Sequence, residues 1–161
     1  MRWEEIEGDT WIIPAARAKN RQAQHVPLSS DVLALLQSMP ASGAYVFGRR
    51  GTGAYGGYSK AKRLLDEQML VKLREASPNA ELKPYVLHDL RRTARSLISR
   101  AGVRSKIAER VLNHTIPGVR GVYDRHSYID EKWHALESLA ALVAQIVKCD
   151  DNVIALREQR A

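Results

Sequence analysis

The spacing of apolar residues changes character along the chain. Two short β-rich runs come first, "TWIIP" at 10–14 and "QHVPL" at 24–28. Between them lies the polar, basic stretch "AARAKNRQA", so the pair predicts a β-hairpin with a basic tip. Helical spacing follows. In "SSDVLALLQSMP", Ser29, Ser30 or Asp31 supplies a cap, Val32, Leu35 and Leu36 share a face, and Pro40 lies past the end. "GRRGTGAYGGYS" at 48–59 is glycine-rich and reads as a loop. A long helix is expected over about 59–76, with Leu64, Leu65, Met69 and Leu73 towards the core.

Three further helices are expected. One covers about 88–101, with Leu90, Ala94, Leu97, Ile98 and Ala101 as its buried stripe and Gly102 as a left-handed C-terminal residue. The next covers 105–113, with Ser105 as N-cap and Ile107, Ala108, Val111 and Leu112 inward. The last covers about 130–149. It carries one seam of Trp133, Leu136, Ala140, Val143 and Val147 and a second stripe of Leu139, Leu142 and Ile146. A helix apolar on two sides needs two surfaces. It is either a central core helix or a tail that docks partly on another subunit. The expected fold class is α+β and mainly α-helical, a small antiparallel β-sheet near the N-terminus followed by a helical bundle.

Composition narrows the functional classes. The 161 residues suit one domain. A net charge of +7 favours a polyanionic partner, nucleic acid first, against a basic surface with no specific partner. The single cysteine, Cys149, allows no intrachain disulfide and reads as a small core residue. No segment has the apolar length of a membrane span and the start has no signal-peptide pattern, so a cytoplasmic location and no membrane partner are expected. The five histidines match no paired metal motif, and the glycine-rich loop lacks the ending of a phosphate-binding loop. No metal and no cofactor are expected.

The candidate chemistry sits on basic residues. At helical spacing His88, Arg91 and Arg95 line one border of the buried stripe of "YVLHDLRRTARSLISRAG", and Arg92 points to solvent. Arginine grips phosphate oxygens bidentately, and histidine trades protons near neutrality. A merely solvated basic face explains the same spacing. Arg17, Lys19 and Arg21 surround the hairpin tip. Lys19 can donate a proton if neighbouring arginines lower its pKa, or the tip can simply touch phosphates. Further on, "VLNHTIPGVRGVYDRHSY" holds His114, Tyr123 and Tyr128, with Pro117, Gly118 and Gly121 marking a loop or broken helix. Either tyrosine could be a nucleophile, or both could pack.

These stretches together resemble the tyrosine recombinase, or phage integrase, family. "LHDLRRT" is similar to its His-x-x-Arg box and "LNH" to its Leu-Gly-His box, and Tyr123 follows at the family's spacing. The opening "MRWEEIEGDTWIIPAARAKNRQAQHVPLS" resembles the family's β-sheet segment, with a lysine on the hairpin after Trp-x-x-Ile. The resemblance runs from residue 1 to about 140, with four boxes in order. It implies a recombinase catalytic domain acting on double-stranded DNA, by cleavage and rejoining through a 3′-phosphotyrosyl intermediate. It further implies that His88 and Arg91 are the second-box residues, with Arg91 clamping the scissile phosphate, that His114 stabilises the same phosphate or assists proton transfer, that Lys19 is the general acid and that Tyr123 is the nucleophile. Tyr128 lies beyond the family's spacing and fits the start of the last helix. Arg17, Arg21, Arg92 and Arg95 are expected on DNA.

The family carries a second arginine in a Gly-x-Arg-x-x-Glu helix ahead of Trp-x-x-Ile. This sequence starts past that point, so residues 1–161 are expected to be one truncated catalytic domain, weak by itself. Self-association is expected through the exposed core or through the helix at 130–149. Two other readings stand. "LISRAGVRSKIAERVLNH" has the rhythm of a helix-turn-helix DNA reader, with Arg104, Lys106 and Arg110 facing DNA. An inactive prophage remnant is the other.

Overall fold

The structure is a computed structural model and describes residues 1–41, 43–49, 53–114 and 126–148. A 3₁₀ turn at Trp3–Glu5 leads into strand β1 (Ile6–Glu7), which pairs antiparallel with β2 (Thr10–Ile13). β2 pairs antiparallel with β3 (Gln24–Pro27), with Trp11 opposite Val26 and Ile12 opposite His25. The order is β1-β2-β3, and the β2–β3 hairpin carries the basic tip. One contributor to its stiffness is Glu5. This buried carboxylate accepts from the Arg2 N–H at 2.9 Å, from Trp11 Nε1 at 3.1 Å, and from Arg17.

Helix α1 (Ser30–Ser38) packs on this sheet end. Leu28, Leu36 and Val46 form its core, with Trp3, Ile6, Trp11 and Leu33 against them. The inward face of α1 is therefore Leu33 and Leu36. Val32 and Leu35, expected beside Leu36, are exposed, because the helix meets the sheet along one edge only. Ser29 occupies the N-cap position without a side-chain cap bond. A carboxylate oxygen of Glu137, far along the chain, accepts instead from the Ser30 N–H at 2.9 Å. That places a negative charge at the positive end of the helix.

The glycine-rich stretch is not all loop. Its ends form a small ladder, β4 (Gly48–Arg49) with β5 (Gly53–Ala54). Helix α2 (Tyr58–Ala76) follows as expected in position but not in burial. None of its residues is buried, and Leu64, Leu65, Met69 and Leu73 stay 36–47% exposed. The segment after it lies back along α2. The Tyr85 ring takes Lys62 Nζ on its face at 3.6 Å and its hydroxyl meets Met69 Sδ at 3.4 Å.

Three helices complete the described fold. α3 (Leu87–Arg100) opens with Asp89 accepting from the Val86 N–H at 2.9 Å. It ends with Gly102 at φ 80°, whose N–H bonds the Ser99 carbonyl while that of Val103 bonds the Ile98 carbonyl. This is the left-handed ending that glycine makes cheaply. α4 (Ser105–Val111) starts with Arg104, not Ser105, at the N-cap. The Ser105 hydroxyl instead accepts from Arg95 at 3.0 Å. α5 (Ile129–Lys148) packs on α3, α4 and β3.

Ile98, Ile107, Ala108, Leu112 and Ala135 make the second core. Leu90, placed in the buried stripe by spacing, is exposed, because α3 enters the core only from its second turn. α5 is split along its length. Lys132 and Ala135 are buried near its start, whereas Val143, Ile146 and Val147 are exposed near its end. The buried Lys132 Nζ donates to the His25 carbonyl, tying α5 to the hairpin. Burial pushes its ammonium below the ordinary lysine range, and the charge of Arg110 adds to this. No described helix is long and apolar enough to cross a membrane. Cys149 lies outside the described residues.

Candidate active site

The C-terminal end of α4 is where distant segments meet. Leu112 is the last near-helical residue, and Asn113 turns left-handed at φ 55°. The Asn113 N–H bonds the Arg110 carbonyl at 3.1 Å, and the His114 N–H bonds the Glu109 carbonyl at 2.9 Å. Those two bonds form the same ending as in α3, with asparagine in place of glycine. Asparagine tolerates the left-handed conformation better than most side chains. The geometry delivers His114 off the helix end.

Two neighbours close on that end. From α3, the Arg91 guanidinium donates to the Leu112 carbonyl, one of the carbonyls a helix C-terminus leaves without an internal partner. From the hairpin tip, Asn20 Nδ2 donates to Asn113 Oδ1 at 3.3 Å. Lys19, adjacent to Asn20, is exposed there. His88 sits exposed on the first turn of α3, one helical turn before Arg91.

Other expected residues are committed elsewhere. Arg95 Nε donates to Glu109 Oε1 at 2.8 Å, and its remaining nitrogens reach Ser99 and Ser105. Arg17 is held by Glu5. Arg92 is largely solvent-exposed and pairs with Asp89 at 2.8 Å, while Arg21 is exposed at the tip. Tyr123 lies outside the described residues, as do Pro117, Gly118 and Gly121.

Tyr128 immediately precedes α5, and its carbonyl accepts from the Lys132 N–H at 3.0 Å. Its hydroxyl accepts from Lys106 Nζ, and Arg110 stacks 3.9 Å from its ring centroid. Two of the basic residues assigned to DNA under the helix-turn-helix reading, Lys106 and Arg110, thus face Tyr128. Arg104 has the Glu131 carboxylate near enough to feel its charge.

Sequence spacing missed Glu109. Its Oε2 meets His114 Nδ1 while Oε1 holds Arg95. The His114 contact, then Arg95, keep its carboxyl below the ordinary glutamate range despite partial burial. It faces the same side as Arg95 only because two helices cross, which no single-helix pattern contains. Among the described residues no cluster of three His, Cys, Asp or Glu side chains could hold a metal.

No solved structure matches the chain significantly. The prophage integrase IntA of Escherichia coli (strain K12) is 31% identical over 149 residues, covering 88% of this chain. The chain spans about a third of the length of that relative, 33%. The model of the phage integrase family matches residues 1–128, a span that holds the sheet and helices α1 to α4, and the chain belongs to that family.

Proposed function

We propose that this chain is the strand-cleaving part of a tyrosine recombinase that cuts and rejoins double-stranded DNA. The observation that carries the reading is the convergence on one helix end. The hairpin beside Lys19, the Arg91 guanidinium and His114 meet at the C-terminus of α4 although they are far apart in sequence. In the proposed step the Tyr123 hydroxyl oxygen attacks the scissile phosphorus. The bond to the 5′ oxygen breaks, and Lys19 gives that oxygen a proton. A 3′-phosphotyrosyl link results, and reversal of the step rejoins the strand without an external energy source.

Arg91 and His88 offset the negative charge that builds on the phosphate oxygens, and His114 takes up the proton that the tyrosine hydroxyl gives up on attack. Arg21 and Arg92, both exposed, reach flanking phosphates, whereas Arg17 and Arg95 brace the frame. The +7 charge favours binding to the polyanion. A second arginine on the phosphate, as the family has ahead of Trp-x-x-Ile, would come from outside these residues. Removing one such donor costs about 3–4 kcal/mol of barrier, so these 161 residues alone are expected to react slowly. The exposed Val143 and Val147 on α5 favour docking on a second copy, which sedimentation at rising concentration tests.

The direct test is a nicked suicide DNA substrate. A small, slowly accumulating covalent protein–DNA adduct is expected from the natural chain, none from Tyr123→Phe, and equal DNA binding by both. Adduct surviving in Tyr123→Phe overturns the assignment.

A further inference from the structure

We infer that Glu109 is a positioning residue that holds His114 by Nδ1 and turns Nε2 outward to take the proton of the attacking hydroxyl. The inference deepens the strand-cleavage reading and rests on it. Three contacts carry it. The His114 backbone is pinned to Glu109 by the 2.9 Å bond that ends α4. The His114 ring meets Glu109 Oε2 through Nδ1. Glu109 Oε1 is itself fixed by Arg95 Nε at 2.8 Å, and Arg95 is fixed by Ser99 and Ser105. The carboxylate is therefore braced from α3 while its second oxygen holds the ring.

The chemistry follows from donor counting. A carboxylate only accepts, so the nitrogen that meets it carries the hydrogen. In the neutral ring Nε2 is then the acceptor. The His114 side chain is about half exposed, 49%. On attack, the Tyr123 hydroxyl proton passes to Nε2, and the imidazolium so formed sits beside the Glu109 charge. On rejoining, the proton returns to the tyrosine oxygen. Carboxylate, imidazole and hydroxyl then act in series, the logic by which a buried acid fixes a histidine tautomer in hydrolases.

Glu109 answers two donors at once, Arg95 and the His114 ring, and so needs two acceptor oxygens. Glutamine has one. In Glu109→Gln the amide oxygen stays on the guanidinium and the amide NH₂ faces Nδ1. That places the ring hydrogen on Nε2 and removes the outward acceptor.

The test has two readouts on the full chain. Long-range ¹⁵N–¹H spectra of the neutral His114 ring should show the Nδ1–H form in the natural chain and the Nε2–H form in Glu109→Gln. Adduct formation at saturating suicide DNA should fall on the order of 10²-fold in Glu109→Gln, with DNA affinity unchanged and partial recovery in Glu109→Asp. The same tautomer in both proteins overturns the inference, as does an unchanged adduct rate. A natural chain that forms no adduct overturns the proposed function, while the tautomer comparison still decides whether Glu109 sets the ring. Should Glu109→Gln melt early, Arg95→Met separates the causes. It loosens the same α3–α4 tie but leaves the carboxylate on His114, so its ring should remain Nδ1–H.

Discussion

Helices α2 and α3 both carry an apolar stripe, more sharply segregated in α3, and the two stripes meet different fates. In α3 the stripe closes on α4 and α5, and Ile98 is 1% exposed. In α2 no residue is buried. The returning segment through Tyr85 covers one side with a cation on a ring and a few polar contacts, which is not a core. α5 repeats the contrast within one helix. Its first half lies on α3, α4 and β3, and its second half shows Val143, Ile146 and Val147 to solvent. An amphipathic period says that a face exists. Whether that face contributes stability depends on a second surface arriving against it.

Mutations can break this contrast. Ile98→Ala should cost about 2–5 kcal/mol in urea unfolding, the price of a cavity in a closed core. Glu5→Ala should cost about 1–3 kcal/mol, because Trp11 Nε1 and the Arg2 N–H lose their acceptor. Burial raises the Glu5 carboxyl, but those donors and Arg17 outweigh it, and the group ends below the ordinary glutamate range. A depressed folded value gives stability that is complete above the unfolded value, about 4.3, and is lost as pH falls through the folded value. Melting temperature should therefore drop on acidification below that point, and drop less in Glu5→Ala.

Asn113→Ala should cost on the order of 1 kcal/mol, whereas Asn113→Gly should be neutral or better, because the position is left-handed. Met69→Ala on α2 should change stability by no more than about 0.5 kcal/mol. A loss at Met69 approaching that at Ile98 would mean that α2 has a covering surface, and the contrast would fail.

Much of the fold was legible in the residues. The β2–β3 hairpin, the five described helices and Gly102 follow from period and turn residues, which are local properties. That His88 and Arg91 stand one turn apart on one helix, and that "LNH" ends another, was legible too. Burial was less so. Leu90, Val32 and Leu35 satisfy the period as well as Ile98 and Leu36 do, and only the crossing points of the elements separate them. Caps failed for a related reason. Ser29 and Ser105 are good cap residues, yet Glu137 reaches the start of α1 and Arg95 claims the Ser105 hydroxyl.

By itself the sequence determined the β2–β3 hairpin, the rough positions of the five described helices, and which residue types stand ready for phosphate chemistry. Periodicity and turn preference act over a few residues, so they can be read without knowing the rest. Only the tertiary structure decided that the Lys19 hairpin, Arg91 and His114 share the end of α4. It also decided that Glu109 stands behind the His114 ring, and that the stripe of α2 is left uncovered. Each of these depends on how two elements cross, and a crossing is set by packing between segments that no local pattern links.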